Sequence, residues 1–188
     1  AAVQVPLGEE APLAGIPDLA LRRERAANLA GAELLGYTPN WAAAMRVALD
    51  AAVVVVLDAD LDATDTAALA AARGAVVVLG TVVPEGLRTA ELVLPVTNMA
   101  EENGTYVNRD RRIQRFQQAK SQPGMARPAW WVAGEALAET GGPASPGSAA
   151  EAFALLGDRW PVFAGLSHAE LGYTGRVLGA ALPAGAAR

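Results

Sequence analysis

Four carboxylates crowd one short stretch of this chain: Asp58, Asp60, Asp62 and Asp65. They follow the apolar run Val53-Val54-Val55-Val56-Leu57, at the point where a buried strand would hand over to a helix. Aspartates at such an edge can take a ribose hydroxyl or a magnesium ion. The same residues also cap helices and favour their positive ends. A second apolar run ends at Leu79-Gly80-Thr81, where the glycine either lets a phosphate approach the backbone or forms a simple turn. Neither a GxGxxG fingerprint nor a P-loop accompanies it.

A basic stretch comprises Arg109, Arg111, Arg112, Arg115, Lys120 and Arg127, opposed locally by Asp110 alone, in a chain of net charge −5. It can clamp a pyrophosphate, dock an acidic partner or solvate a hairpin. Nucleic acid is not an expected partner, because Phe116 is the sole interleaved aromatic and the overall charge repels phosphates. Glu101 and Glu102 are adjacent, and work as a general acid/base pair would require a shared cleft and separated pKa values. The single histidine, His168, follows Ser167 and is expected to be solvated in a first helical turn. There is no cysteine. Disulfides, thiolate zinc sites and iron–sulfur clusters are therefore excluded from this chain, and a histidine-based metal site or Ser-His-Asp triad is not expected. No residue stands out as a nucleophile.

These groups need a scaffold, and 188 residues suffice for one domain with a small appendage. Hydrophobic residues make up 52% but aromatics 5%, which implies closely packed small side chains. No apolar run approaches the roughly 20 residues of a membrane span, and no secretory signal opens the chain. The opening Ala-Ala-Val fits a piece of something longer. Residues 3–7 read as a short strand, and Asp18 is placed to cap a short helix with Arg22, Arg23 and Arg25 on its wet side. Asn40 precedes Trp41, Met45 and Leu49 at helical spacing. Residues 53–57 and 75–79 read as strands buried on both faces, the pattern of parallel sheets. The helix between them starts at Thr64 or Asp65 and stops at Gly74. A third strand covers 92–94, so the order predicts a right-handed βαβ crossover and a parallel α/β sheet.

Beyond residue 100, two strands at 105–108 and 112–116 flank a polar turn. Pro128 suits the first turn of a helix reaching about Glu139. On that helix Trp130 and Trp131 point apart, one towards the core and one towards an interface. Residues 141–147 are a linker by composition. Ser148 with Glu151, and Ser167 with Glu170, have capping-box spacing. They predict helices near 149–157 and 168–179 that dock on the α/β body or on another subunit.

The series Ala90-Glu91-Leu92-Val93-Leu94-Pro95, Glu101-Glu102-Asn103-Gly104-Thr105-Tyr106-Val107-Asn108 and Arg112-Ile113-Gln114-Arg115-Phe116 resembles a segment of molybdopterin oxidoreductases. In that family "A-D-V-V-L-P" leads to "E-x-x-G-T-x-x-N-x-x-G-R-x-Q". Pro123 to Trp130 is similar to its "P-G-x-A-R-P-D-W", Asn28 to Ala32 with Gly36 to its "N-x-x-G-A" turn, and Val54 to Asp60 to its "V-V-V-L-G-A-D" strand end. The resemblance spans roughly residues 26–139. Its closest form is the C-terminal part of the large iron–sulfur subunit of bacterial NADH:quinone oxidoreductase, respiratory complex I, whose end the tail also resembles. Departures stand at Asp58 and Arg111, where the family has glycine, and at Ala129, where it has aspartate. A carboxylate at 58 would repel a pterin pyrophosphate and crowd its approach.

The resemblance implies a Rossmann-like parallel sheet with flanking helices, then a hairpin and C-terminal helices. It divides the chain into an α/β domain at 1–140, a linker at 141–147 and a helical appendage at 148–188. Glu101, Gly104, Thr105, Asn108, Arg112 and Gln114 are framework positions, with Thr105 and Asn108 tying loop N–H groups and Glu101 pairing with Arg112. Asp58, Gly80, Thr81 and Arg112 remain the candidates for touching a cofactor, with no catalytic or metal residue assigned. The expected function is a non-catalytic structural portion of the complex I subunit, supporting electron transfer from NADH to quinone beside other peripheral-arm subunits at the cytoplasmic face of the membrane. Iron–sulfur clusters would lie elsewhere in the parent. Two alternatives stay open: the molybdopterin-binding part of a formate dehydrogenase or nitrate reductase type of enzyme, and an unrelated nucleotide-binding regulator.

Overall fold

The computed structural model describes residues 1–5, 8–16, 19–23, 25–88 and 90–179. The expected strand at 3–7 falls partly outside them, as does the Asp18 cap. Within them, Ala2 bridges Thr38, and Ala11–Pro12 (β1) pairs antiparallel with Ala20–Leu21 (β2). The segment leading to Arg22 is therefore a small ribbon, and the helix expected after Asp18 is not formed there.

Leu29–Leu34 (α1) and Trp41–Ala48 (α2) follow, the second capped by the Asn40 side chain on Ala43 N–H. Val53–Leu57 (β3), Ala75–Gly80 (β4) and Leu92–Pro95 (β5) make a parallel sheet in the order β3-β4-β5. Val53 stands opposite Ala75, and Val77 opposite Leu92. Ala63–Ala70 (α3) crosses between the first two strands, with Asp62 rather than Thr64 or Asp65 as its N-cap. Gly74 closes the crossover because a side chain there would collide with the Ala51 and Ala52 carbonyls.

One face of the sheet is sealed by α2 and α3 around Val56, Leu69, Val76, Val78 and Leu87. The other is covered where Ala129–Glu139 (α4) lays Val132 and Trp131 on Val77, Leu79 and Leu94. That cover stops short of β3. Val53, Val55 and Leu57 are 57%, 58% and 53% exposed. The expectation that β3 is buried on both faces is thus corrected: β4 occupies the centre, and β3 is an edge strand whose outer face no helix among the described residues covers.

A second core lies beside this sheet. Gly104–Val107 (β6) and Arg112–Phe116 (β7) form the hairpin, and Arg176–Val177 (β8) adds to it antiparallel. Ala149–Arg159 (α5) forms as its capping box predicts, with Ser148 Oγ accepting from Glu151 N–H at 3.2 Å. Phe153, Phe163, Leu171 and Leu178 from the tail join Val107 and Ile113 from the hairpin, with Ala30, Leu34 and Leu35 of α1 packed against them. Residues 148–179 therefore dock back on this chain. The second predicted tail helix does not form. Ser167 Oγ does accept from Glu170 N–H at 3.3 Å and donates to Glu170 Oε2 at 2.9 Å, but Gly172 and Gly175 adopt positive φ of 55° and 69° and the chain turns into β8. Among the described residues no helix is long and apolar enough to cross a membrane.

Candidate functional site

At the C-terminal edge of the parallel sheet, Asp58, Gly80 and Thr81 come together. One carboxylate oxygen of Asp58 accepts from Thr81 N–H at 2.8 Å and from Thr81 Oγ at 2.7 Å. Asp58 itself has φ 43°, the left-handed region that glycine enters without a Cβ penalty. Gly80 is buried, and a Cβ on it would sit 2.7 Å from the Val82 carbonyl oxygen. Two further carboxylates of the acidic cluster are also engaged. Asp62 caps α3 through Asp65 N–H, and Asp65 accepts from Trp41 Nε1 at 2.7 Å. Asp60 exchanges two backbone hydrogen bonds with the Gln4 amide. Among the described residues no group of three or more acidic or histidine side chains is placed to hold a metal.

Arg112 lies away from that edge. Its guanidinium donates to the Thr174 carbonyl at 3.2 Å, while Arg115 donates to the Gly172 carbonyl at 3.1 Å and lies over the Tyr173 ring. Two members of the basic stretch thus grip the tail of the same chain. The other arginines do not converge with them: Arg109 pairs with Asp110 at 3.7 Å and Arg127 donates to the Ala126 carbonyl. Arg111 occupies φ 60° at the hairpin turn, and its Nε and one Nη are buried without a hydrogen-bond partner among the described residues. A left-handed non-glycine residue is strained by roughly 1–2 kcal/mol. Arg111→Gly is accordingly expected to stabilise the chain by about 1 kcal/mol; a drop in the denaturant midpoint would contradict this.

The framework positions hold loops. Asn108 accepts from Arg112 N–H at 2.8 Å across the turn. Thr105 is paired with Arg115, and Gln114 with Tyr106, in the β6–β7 ladder, so the tying role expected of Thr105 belongs to Asn108. Gly104 makes room for Phe116, whose ring would be 2.5 Å from a Cβ. Asn28 has the second left-handed backbone that the hairpin depends on, φ 66°, and accepts from Val107 N–H at 2.8 Å. Its motif was legible, but this long-range contact was not. An open cleft of about 660 Å³ lies here, lined by Asn28, Glu33, Tyr106, Arg109 and Gln114 among others. Its arginines are already matched, Arg22 by Glu10 at 3.0 Å and Arg109 by Asp110.

Glu101 pairs with Lys120 at 2.8 Å, not with Arg112, because the loop 118–120 lies against Ala100 through two backbone hydrogen bonds. The Lys120 contact, with the Asn98 N–H, holds the Glu101 carboxyl below its ordinary range. Burial pushes the neighbouring Glu102 up, against a hydrogen bond from Thr97 Oγ. A depressed carboxyl adds stability above the unfolded-state value and loses it as pH falls through the folded value. Lys120→Met is therefore expected to shift acid unfolding to higher pH, read by circular dichroism; an unchanged acid midpoint would count against the pair. His168 is half-buried rather than solvated, with Nε2 3.4 Å from the Gly104 carbonyl and its ring at the edge of Phe153. Trp131 packs on the sheet, whereas Trp130 Nε1 is buried without a partner among the described residues.

The donors at the sheet edge do not fit a phosphate group. Thr81 N–H and Oγ are both taken by the chain's own carboxylate, and a second anion there would meet like charge.

A family model for molybdopterin oxidoreductase matches residues 23–139. A formate dehydrogenase subunit alpha of Methanococcus maripaludis is 37% identical over 94 residues, 48% of this chain and 14% of that protein. The Bacillus subtilis protein YrhE, which carries a provisional formate dehydrogenase name, is 34% identical over 79 residues, 42% of this chain and 8% of that protein. Iodate reductase subunit IdrA of Pseudomonas sp. strain SCT is 39% identical over 51 residues, 27% of this chain and 6% of that protein. The chain thus spans a small part of the curated relatives it matches. They move the finer likeness from the complex I subunit towards formate dehydrogenases.

Proposed function

The chain belongs to the molybdopterin oxidoreductase family, and from that premise we propose that it is a scaffold portion of the molybdopterin-bearing subunit of a formate-dehydrogenase-type oxidoreductase. The observation that carries this reading is the pair of formate dehydrogenase matches, each covering more than two-fifths of the chain. In such an enzyme the pterin-bound metal supplies the electron-transfer chemistry. The residues of this chain hold shape: Asn28 and Asn108 fix the hairpin, and Arg112 and Arg115 fix the tail. No step of the reaction is assigned to them, since the sheet-edge donors are spent.

That last observation also favours a second reading, the ligand-free portion of the large iron–sulfur subunit of NADH:quinone oxidoreductase, with peripheral-arm subunits as neighbours at the cytoplasmic membrane face. Metal and pterin analysis of the full-length parent separates the two. Molybdenum or tungsten with pterin, and formate-dependent dye reduction, is the expected result. A parent with iron–sulfur clusters but neither pterin nor metal, oxidising NADH, would replace the first reading with the second.

A further inference from the structure

We propose that the end of β4 is an oxyanion cradle filled by the chain's own Asp58, and that this carboxylate closes the sheet edge to external phosphates. The inference stands on local geometry and does not depend on which oxidoreductase the chain serves.

A backbone N–H and a hydroxyl on the same residue, Thr81, converge on one carboxylate oxygen at 2.8 and 2.7 Å. Two donors converging on one anionic oxygen are what a strand end offers a phosphate. The anion is delivered at a backbone cost, because Asp58 must hold φ 43° to reach Thr81. The neighbouring contacts keep it there: Asp58 N–H donates to the Leu79 carbonyl at 2.8 Å, so the end of β3 is tied to β4 beside the cradle. On the far side, Gly80 is folded against the Val82 carbonyl, so the space above the glycine is taken by the chain's own turn. The other candidate anchors for an anion are engaged elsewhere, with Arg112 on Thr174. Asp58 is therefore a built-in occupant rather than a ligand-binding carboxylate.

Glycine at position 58 suits the positive φ and removes the occupant. The vacated cradle then has two unpaired donors facing solvent and is open to a phosphate oxygen. Freeing two donors for a charge-assisted contact should raise pyrophosphate affinity at least roughly tenfold over the wild type.

The test is titration of the full isotope-labelled chain with inorganic pyrophosphate at constant ionic strength, following the Thr81 amide by NMR. The wild type is expected to show no saturable shift, and Asp58→Gly a saturable one. Asp58→Asn fills the same space with an amide oxygen that accepts both donors, so it should behave as the wild type and keep the Thr81 amide protected from exchange. A saturable Thr81 shift in the wild type overturns the proposal, as does rapid exchange of that amide. So does a folded Asp58→Gly chain that shows no saturable response. Should that variant fail to fold, the wild-type titration and the protection of Thr81 in Asp58→Asn decide alone.

Discussion

Phe153→Ala is expected to destabilise the chain by about 3–5 kcal/mol, the usual cost of deleting a buried aromatic ring. Phe153 is 4% exposed and packs edge-on to Phe163 at 6.4 Å between centroids. The ring belongs to α5, yet its core neighbours include Val107 and Ile113 of the hairpin. The cavity would thus be shared by segments far apart in sequence. Hydrogen exchange makes the effect specific: amides of β6 and β7 should lose protection together with those of α5. If α5 alone loosened while the hairpin kept its protection, the tail would be an independent appendage and the shared core would be wrong.

Gly104→Val is expected to cost about 1–3 kcal/mol through overpacking. A Cβ at 104 would stand 2.5 Å from Phe116 Cζ and 2.8 Å from Cε1. The Phe116 ring cannot withdraw cheaply, because it is tilted against Tyr106 with centroids 4.9 Å apart. Backbone conformation is not the reason for glycine here, since Gly104 does not adopt a positive φ. The double variant with Phe116→Leu separates clash from any other cause. Relief of the clash should make the pair less destabilised than the two single changes added together. Strict additivity, measured by urea unfolding, would show that the ring is not what excludes a side chain.

The same glycine shows how a motif can be read correctly in kind and not in detail. Its motif marked Gly104 as a framework position; that the ring of Phe116 is what excludes a side chain there was not legible. Glu101 is similar. Its place in the "E-x-x-G-T-x-x-N" series marked it as framework, but Arg112 and Lys120 were both cations within reach of a flexible chain. The loop at 118–120, fastened to Ala100, gave the carboxylate to Lys120. Asp58 and Thr81 are 23 residues apart, and nothing in their spacing indicates that one feeds hydrogen-bond acceptors to the other. Parallel pairing of β3 with β4 brings the two strand ends side by side, and the clasp follows.

What the sequence by itself determined is the set of local choices with large intrinsic preferences. Five consecutive β-branched or aliphatic residues at 53–57 made a strand, Asn40 and Ser148 capped helices, and the 92–94 run paired in parallel, all as the residues dictate. What the tertiary structure decided is coverage and competition. The Val-rich strand looks the same whether central or at an edge, since side-chain hydrophobicity says nothing about which strand lies next to it. Ser167 and Glu170 close a cap that no helix follows, because two glycines and pairing with β7 turn the chain away. A cap contributes about 1 kcal/mol, less than the burial of Leu171 and Leu178 in the shared core, so long-range packing overrules the local signal.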